Sequence, residues 1–296
     1  MNAVKRTVGF ILDHPLGKRH PVKTLWRLVW WQVQLQLSPK KLIVKRFVGP
    51  VKFYAKRGLT GITSNIYTGL HEFFDMLFLL HFLKAEDVFF DIGANVGSYT
   101  LLASGITGAK SIALEPVKST FDILSSNIEL NALQGKVKLI NAGAGPVPGE
   151  IRFSADEDTS NHVIAENENS ANSIAVPVIT IDSLLNQYQP SLIKIDVEGF
   201  ETEVLKGMTA TLNSPALKAI IIELNGSGAR YGFNDLDIHN LLLSKNFAAY
   251  YYDPFTRQLK NAPSYGTHNT LYCRDLAFVQ ERIEKATPVK ILGEAI

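Results

Sequence analysis

The chain has 296 residues, 46% hydrophobic and 20% charged, with 16 Phe and 10 Tyr to build a core. That balance excludes intrinsic disorder and the fibrous or low-complexity classes. A single cysteine, Cys273, excludes a disulfide framework, a cysteine-ligated zinc and a redox pair, and points to a reducing, cytoplasmic setting. The formal charge of +2 hides an asymmetry: residues 1–57 hold 13 Lys/Arg and one acid, a net +12, while the remaining 239 residues sum to −10. Such a split calls for an anionic partner or for an arm docked on the chain's own acidic body.

In chain order, the N-terminal apolar run Val8–Leu12 is too short for a secretory core and meets Asp13, His14 and Pro15. All three tryptophans follow. Trp26, Trp30, Val33 and Leu37 recur at helical spacing beside Lys23 and Arg27. The expectation is a helix that packs this stripe on the main domain. The alternative is an amphipathic helix lying on an anionic membrane surface, a peripheral contact. Leu42–Phe47 and Val51–Ala55 read as short strands around Gly49-Pro50. Residues 70–83 read as a helix whose apolar run Leu77–Leu83, broken by His81, is far short of a membrane span.

From residue 87 onward strands and helices alternate, the pattern of a parallel α/β sheet. Strands are expected at Val88–Ile92, Ser111–Glu115, Val137–Ala142, Leu192–Val197, Ala219–Glu223, Phe247–Tyr252 and Thr270–Arg274, with helices near 96–104, 118–131, 200–211 and 235–245. Glu150–Phe153 and Ala175–Thr180 look like strands flanking a polar, acidic loop, Ser154–Ser173, whose length marks a functional or unstructured insertion. The organisation expected is a basic extension over 1–64, a main domain over 65–280 and a tail over 281–296.

The most informative segment is Asp91-Ile-Gly-Ala-Asn-Val-Gly-Ser-Tyr-Thr100, a strand-to-helix turn with Gly93 and Gly97. Its G-x-x-x-G spacing is neither the G-x-G-x-x-G of dinucleotide sites nor a P-loop, which speaks against an NAD-linked oxidoreductase and against phosphate transfer. Glu115 ends the next strand, and its two oxygens match a vicinal ribose diol. Asn141-Ala142 ends the third, where an amide and backbone groups can read adenine. Together the three strand ends describe a site for a nucleoside with free hydroxyls and no required phosphate, which S-adenosylmethionine fits better than NAD.

DIGANVGSYT, ALEP, IKIDVEGFETEVLKGM and IIIELNG, in order over about residues 65–275, resemble the FkbM-type class I methyltransferases. The stretch 65–97 also resembles a bacterial branch in which a basic extension precedes the domain. The resemblance implies a Rossmann-like fold, a mostly parallel seven-stranded sheet flanked by helices. It also implies S-adenosylmethionine as methyl donor and O-methylation of a small molecule, sugar or secondary metabolite. On these motifs the donor site would comprise Asp91, Gly93, Ala94, Asn95, Gly97, Ser98, Tyr99 and Thr100, then Glu115, Pro116, Asn141, Ala142 and Asp196.

Asp196 and Glu198 follow the fourth strand, where ligands of open α/β sheets bind, and are candidates to take the acceptor's proton or hold the donor's ammonium. Glu198 has an alternative role as cap of the helix after it. His268 and His71 are the leading histidine bases, ahead of His239 and His81. The rival arrangement is a divalent metal such as Mg²⁺ on Asp196, Glu223 and Asn225, which resembles the metal site of some other class I O-methyltransferases. A non-catalytic binding module of the same fold is the third reading, opposed by the retained turn with Glu115 and Asp196. No Asn/Asp-Pro-Pro-aromatic tetrad follows the fourth strand and the basic arm carries no recognisable binding motif, so a nucleic-acid acceptor is not expected. No motif speaks to oligomeric state.

Overall fold

The structure, a computed structural model, describes residues 3–38, 41–154, 162–164 and 173–296. Three helices open the chain: α1 (Ala3–Asp13), α2 (Pro15–Arg19) and α3 (Pro21–Leu37). Pro15 and Pro21 begin their helices, positions where the missing N–H costs nothing. A hairpin of β1 (Ile43–Arg46) and β2 (Lys52–Ala55) follows, then α4 (Thr60–Thr68) and α5 (Phe73–Phe82).

The extension is tied to the main body by a substitute ladder. On α7 (Lys118–Leu130) the Asn127 Oδ1 accepts from the Tyr54 N–H at 2.7 Å, and Asn131 just beyond it accepts from the Lys52 N–H at 2.8 Å. Two amides one helical turn apart thus satisfy the outer edge of β2. Because α4 runs through the expected boundary at 64 and α11 (Leu276–Glu284) through that at 280, both segments continue into the core. Ile283, Ile291 and Ile296 are buried against α5.

The central sheet is built from β3 (Val88–Ile92), β4 (Lys110–Leu114), β5 (Val137–Ile140), β9 (Leu192–Ile195), β10 (Ala219–Glu223), β11 (Ala248–Asp253), β12 (Gln258–Asn261) and β13 (Asn269–Cys273). Their order is β12-β11-β13-β10-β9-β3-β4-β5. The five strands from β5 to β10 are parallel, and β13 is the antiparallel insertion between β10 and β11. This is a Rossmann-like, mostly parallel sheet. It has eight strands where seven were expected: β12, sequence QLKN, lacks the apolar alternation that marks a strand and pairs only with the edge.

Between the sheet strands lie α6 (Ser98–Leu102), α8 (Glu201–Lys206), α9 (Thr209–Asn213) and α10 (Asp235–Ser244). The single helix expected over 200–211 breaks at Gly207, where a Cβ would stand 2.0 Å from the Gly145 carbonyl oxygen. A small second sheet of β6 (Gly143–Ala144), β7 (Gly149–Ser154) and β8 (Ser173–Ile179) carries the acidic loop, most of which lies outside the described residues. A last small hairpin, β14 (Lys290–Ile291) and β15 (Glu294–Ala295), closes the chain. Among the described residues no helix is long and apolar enough to cross a membrane.

The Trp stripe faces the other way from the expectation. Trp31 is buried, while Trp26, Trp30, Val33 and Leu37 are exposed. Helical period identifies a stripe but not the side that receives the domain, and here Thr24, Trp31 and Leu35 take that side.

Candidate active site

Chain reversal in the sheet falls between β3 and β9, so the carboxyl ends of these two strands flank a crevice. There Gly93 (φ +80°) is obligatory: a Cβ on it would lie 1.8 Å from the Asp196 carbonyl oxygen. A cavity of about 380 Å³ opens at this point. Of the expected residues, Asp91, Gly93, Ala94, Asn95, Ser98, Tyr99, Glu115, Pro116, Asp196, Glu198 and His71 line it.

Glu115 is held in place before any ligand arrives. Its Oε2 accepts from the Asn95 N–H and its Oε1 from the Val117 N–H, both at 2.9 Å. Each oxygen keeps a further lone pair for a ligand hydroxyl. Burial pushes the Glu115 carboxyl up to about 7 against these two bonds.

Several expected donor-site residues support the cavity without lining it. Thr100 is fully buried, and its N–H and hydroxyl both donate to Asp91 Oδ2, at 3.0 and 2.6 Å, fixing α6 to β3. Gly97 (φ +93°) makes room for Leu124 of α7. Asn141 donates to the carbonyls of Glu115 (2.8 Å) and Pro116 (3.0 Å), locking the turn that carries Glu115. Ala142 lines an adjoining apolar notch that shares Gly93, Pro116 and Phe153 with the cavity.

On the opposite wall, Asp196 pairs with Lys194 at 2.6 Å. Lys194 is nearly inaccessible and sits 4.8 Å from the Tyr99 ring centroid. Burial works against its charge, but Asp196, Glu72 and Asp91 outweigh burial and hold its pKa above the lysine range. Sequence reasoning passed over Lys194, although a lysine inside the otherwise apolar strand LIKI was a visible signal.

Asp196, Glu198 and Glu223 offer oxygens that all lie within 4.8 Å of one another. Burial, then the Asp196 charge, push Glu198 up to about 7 and Glu223 up to about 8. Glu198 does not cap the following helix. Glu201, the first residue of that helix, turns back instead, its Oε1 accepting from the Val197 and Gly199 N–H groups of the preceding turn at 3.1 and 3.2 Å. Asn225, expected beside Asp196 and Glu223, is exposed, and its Oδ1 accepts from the Ser227 N–H at 2.9 Å. The oxygen cluster available to a cation is therefore three carboxylates, with Glu198 in place of Asn225.

His268 is exposed and outside the cavity. His268 lies just before β13, and Asn269, the first residue of that strand, is the one turned inward, donating to Glu72 Oε1 at 2.7 Å. His71 does line the cavity, where burial lowers its pKa. His81 and His239 hydrogen-bond the Tyr252 and Tyr272 hydroxyls at 2.5 and 2.8 Å inside the core, so both are structural.

A family model described as the methyltransferase FkbM domain matches residues 91–249, more than half of the chain. The chain belongs to the FkbM methyltransferase family. One relative is the hexuronic acid methyltransferase AglP of Haloferax volcanii, 31% identical over 169 residues. The match takes in 55% of this chain and 64% of AglP, so the chain spans just under two thirds of that protein. Methyltransferase 1 of Beauveria bassiana is 27% identical over 182 residues, 53% of this chain and 71% of that one. The FkbM domain begins at Asp91, so Ser64, His71, Glu72 and Met76 bring the segment before it into the cavity wall.

The raised carboxylates predict a pH dependence. With folded values near 7 and 8 against an ordinary 4.5, the folded chain holds protons that the unfolded chain releases. Their stabilising contribution is full below about pH 4.5 and is lost as pH climbs through about 7 and 8. The melting temperature of the ligand-free protein is expected to fall from pH 6 to pH 9 more steeply in wild type than in Glu223→Gln. Parallel melting curves for the two proteins would contradict the clustered-carboxylate account.

Proposed function

We propose that the chain is an S-adenosylmethionine-dependent O-methyltransferase acting on a hydroxyl of a sugar or other small molecule. The observation that carries this reading is a cavity at the switch point of the sheet whose walls are dominated by carboxylates, Glu72, Asp91, Glu115, Asp196, Glu198 and Glu223, against one buried lysine, Lys194, among the described residues. An anionic cradle with raised carboxyl pKa values fits a cationic ligand, and the donor's sulfonium and ammonium meet that requirement. Glu115 would hold the ribose hydroxyls, and the Gly93–Asn95 turn brings backbone close to the ligand. Once bound, S-adenosylmethionine supplies an electrophilic methyl on sulfur.

The chain's own part is to align the acceptor hydroxyl and remove its proton. Glu198 is the group best suited to take it. It lines the cavity, and a pKa near 7 leaves it both ionised and basic at neutral pH. Asp196 keeps Lys194 charged and in place, and burial, then the Asp196 charge, keep Glu198 basic.

AglP makes a hexuronic acid glycoside the first acceptor to try. The test is transfer of labelled methyl to that acceptor and to a neutral hexoside, followed by alkali. Alkali-stable label on sugar carbon–oxygen positions is the expected result. Label released by alkali would mean an ester on the carboxylate and would overturn hydroxyl methylation.

A further inference from the structure

Helix α3 has a second face with no counterpart in the donor site. Its inner side is fastened: Trp31 is buried under Lys45, whose Nζ lies 4.7 Å from the indole centroid, and the Arg27 Nε donates to the Ile66 carbonyl. The outer side carries Val22, Trp26, Val29, Trp30, Val33 and Leu37, spaced at helical intervals and 38–80% exposed. Every residue of that series is apolar, where a helix on a water-facing surface places polar groups. Leu42 and Val44, beside and on β1, are exposed as well, with Arg46 on the same face of the strand as Val44.

We propose that this face is a docking surface for an anionic phospholipid bilayer. The stripe runs along a convex helix for roughly 24 Å at 1.5 Å per residue, a shape that lies in an interface and does not receive another element as a groove would. Two indoles lead it, the side chain that combines a large apolar body with a polar N–H and collects at the headgroup level. The charge is complementary to lipid phosphate. Residues 1–57 hold 13 Lys/Arg and one acid, with exposed Lys23 on α3 itself and exposed Lys41 four residues past its end. The same net +12 opposes a second copy packing the same face against itself, since like charges would be brought together. The proposal is independent of the donor site and of the reaction.

The test uses the full chain with vesicles of phosphatidylglycerol and phosphatidylcholine, and with vesicles of phosphatidylcholine alone. The three tryptophans of the protein all lie in α3 and Trp31 is buried, so quenching by brominated acyl chains reports Trp26 and Trp30. The expected result is partition onto the anionic vesicles, weaker at high salt, with quenching of tryptophan emission. The double variant Trp26→Ser/Trp30→Ser should lose roughly tenfold or more in partition with a thermal melt close to wild type, because both side chains are at least half exposed. Lys41→Glu/Arg46→Glu should lose the preference for anionic lipid. No partition of wild type onto anionic vesicles, or equal partition of wild type and the tryptophan variant, overturns the proposal. So does a dimer in solution that the tryptophan variant turns into a monomer, which would assign the face to a second copy.

Discussion

Glu115→Ala should weaken S-adenosylhomocysteine binding by roughly 10²-fold or more. The estimate follows from two hydrogen bonds from ribose hydroxyls to a buried charge, each worth about 1.5–3 kcal/mol, with about 1.4 kcal/mol per factor of ten. The same substitution leaves the Asn95 and Val117 N–H groups without their acceptor. Such orphaned donors cost on the order of 1–3 kcal/mol each, so a fall in melting temperature accompanies the loss of affinity. Glu115→Gln separates the two effects. It keeps one side-chain acceptor and the volume, so it should melt closer to wild type while still binding the ligand poorly. Calorimetric titration of both variants checks this. Wild-type affinity in Glu115→Gln would remove the ribose role from Glu115.

Glu198→Gln should lower kcat by roughly 10²–10⁴-fold, the range for loss of a positioned base, and leave S-adenosylhomocysteine affinity nearly unchanged. The pH profile of wild-type kcat/KM should rise with an apparent pKa near 7, as the carboxyl ionises. Glu223 holds its proton up to about pH 8, so Glu223→Gln should leave the rising limb near 7 with a smaller change in maximal rate. If instead Glu223→Gln loses the rate and Glu198→Gln keeps it, the base is Glu223. Full activity of a chelator-treated enzyme separates proton removal by a carboxylate from activation by a divalent cation on the same three oxygens.

Much of this geometry was legible in the sequence because short-range chemistry controls it. The apolar runs that became β3, β4, β9 and β10 are buried strands of four or five residues, and the turn after β3 announced itself by Gly93. That Gly93 is forced by the Asp196 carbonyl, 1.8 Å from where its Cβ would be, is a long-range fact that no local pattern carries. The same division explains what the motif left open. Thr100 and Asn141 belong to the right motif but spend their hydrogen bonds on Asp91 and on the Glu115–Pro116 turn. His268 and Asn269 differ by one position, and only Asn269, where β13 begins, reaches Glu72. Glu198 lies at positive φ (+54°) in the turn before the helix, and Glu201 is the residue that accepts from that turn's N–H groups, both properties of the folded turn. The Trp stripe had the right period and the wrong side, since period is silent on what covers a face.

The most direct test of the central claim is calorimetric titration of the wild-type protein with S-adenosylhomocysteine, with NAD as the comparison. The account predicts saturable binding of S-adenosylhomocysteine with one site per chain and no binding of NAD. Binding of NAD in its place would contradict the assignment of the cavity lined by Gly93, Glu115 and Asp196 to a methyl donor.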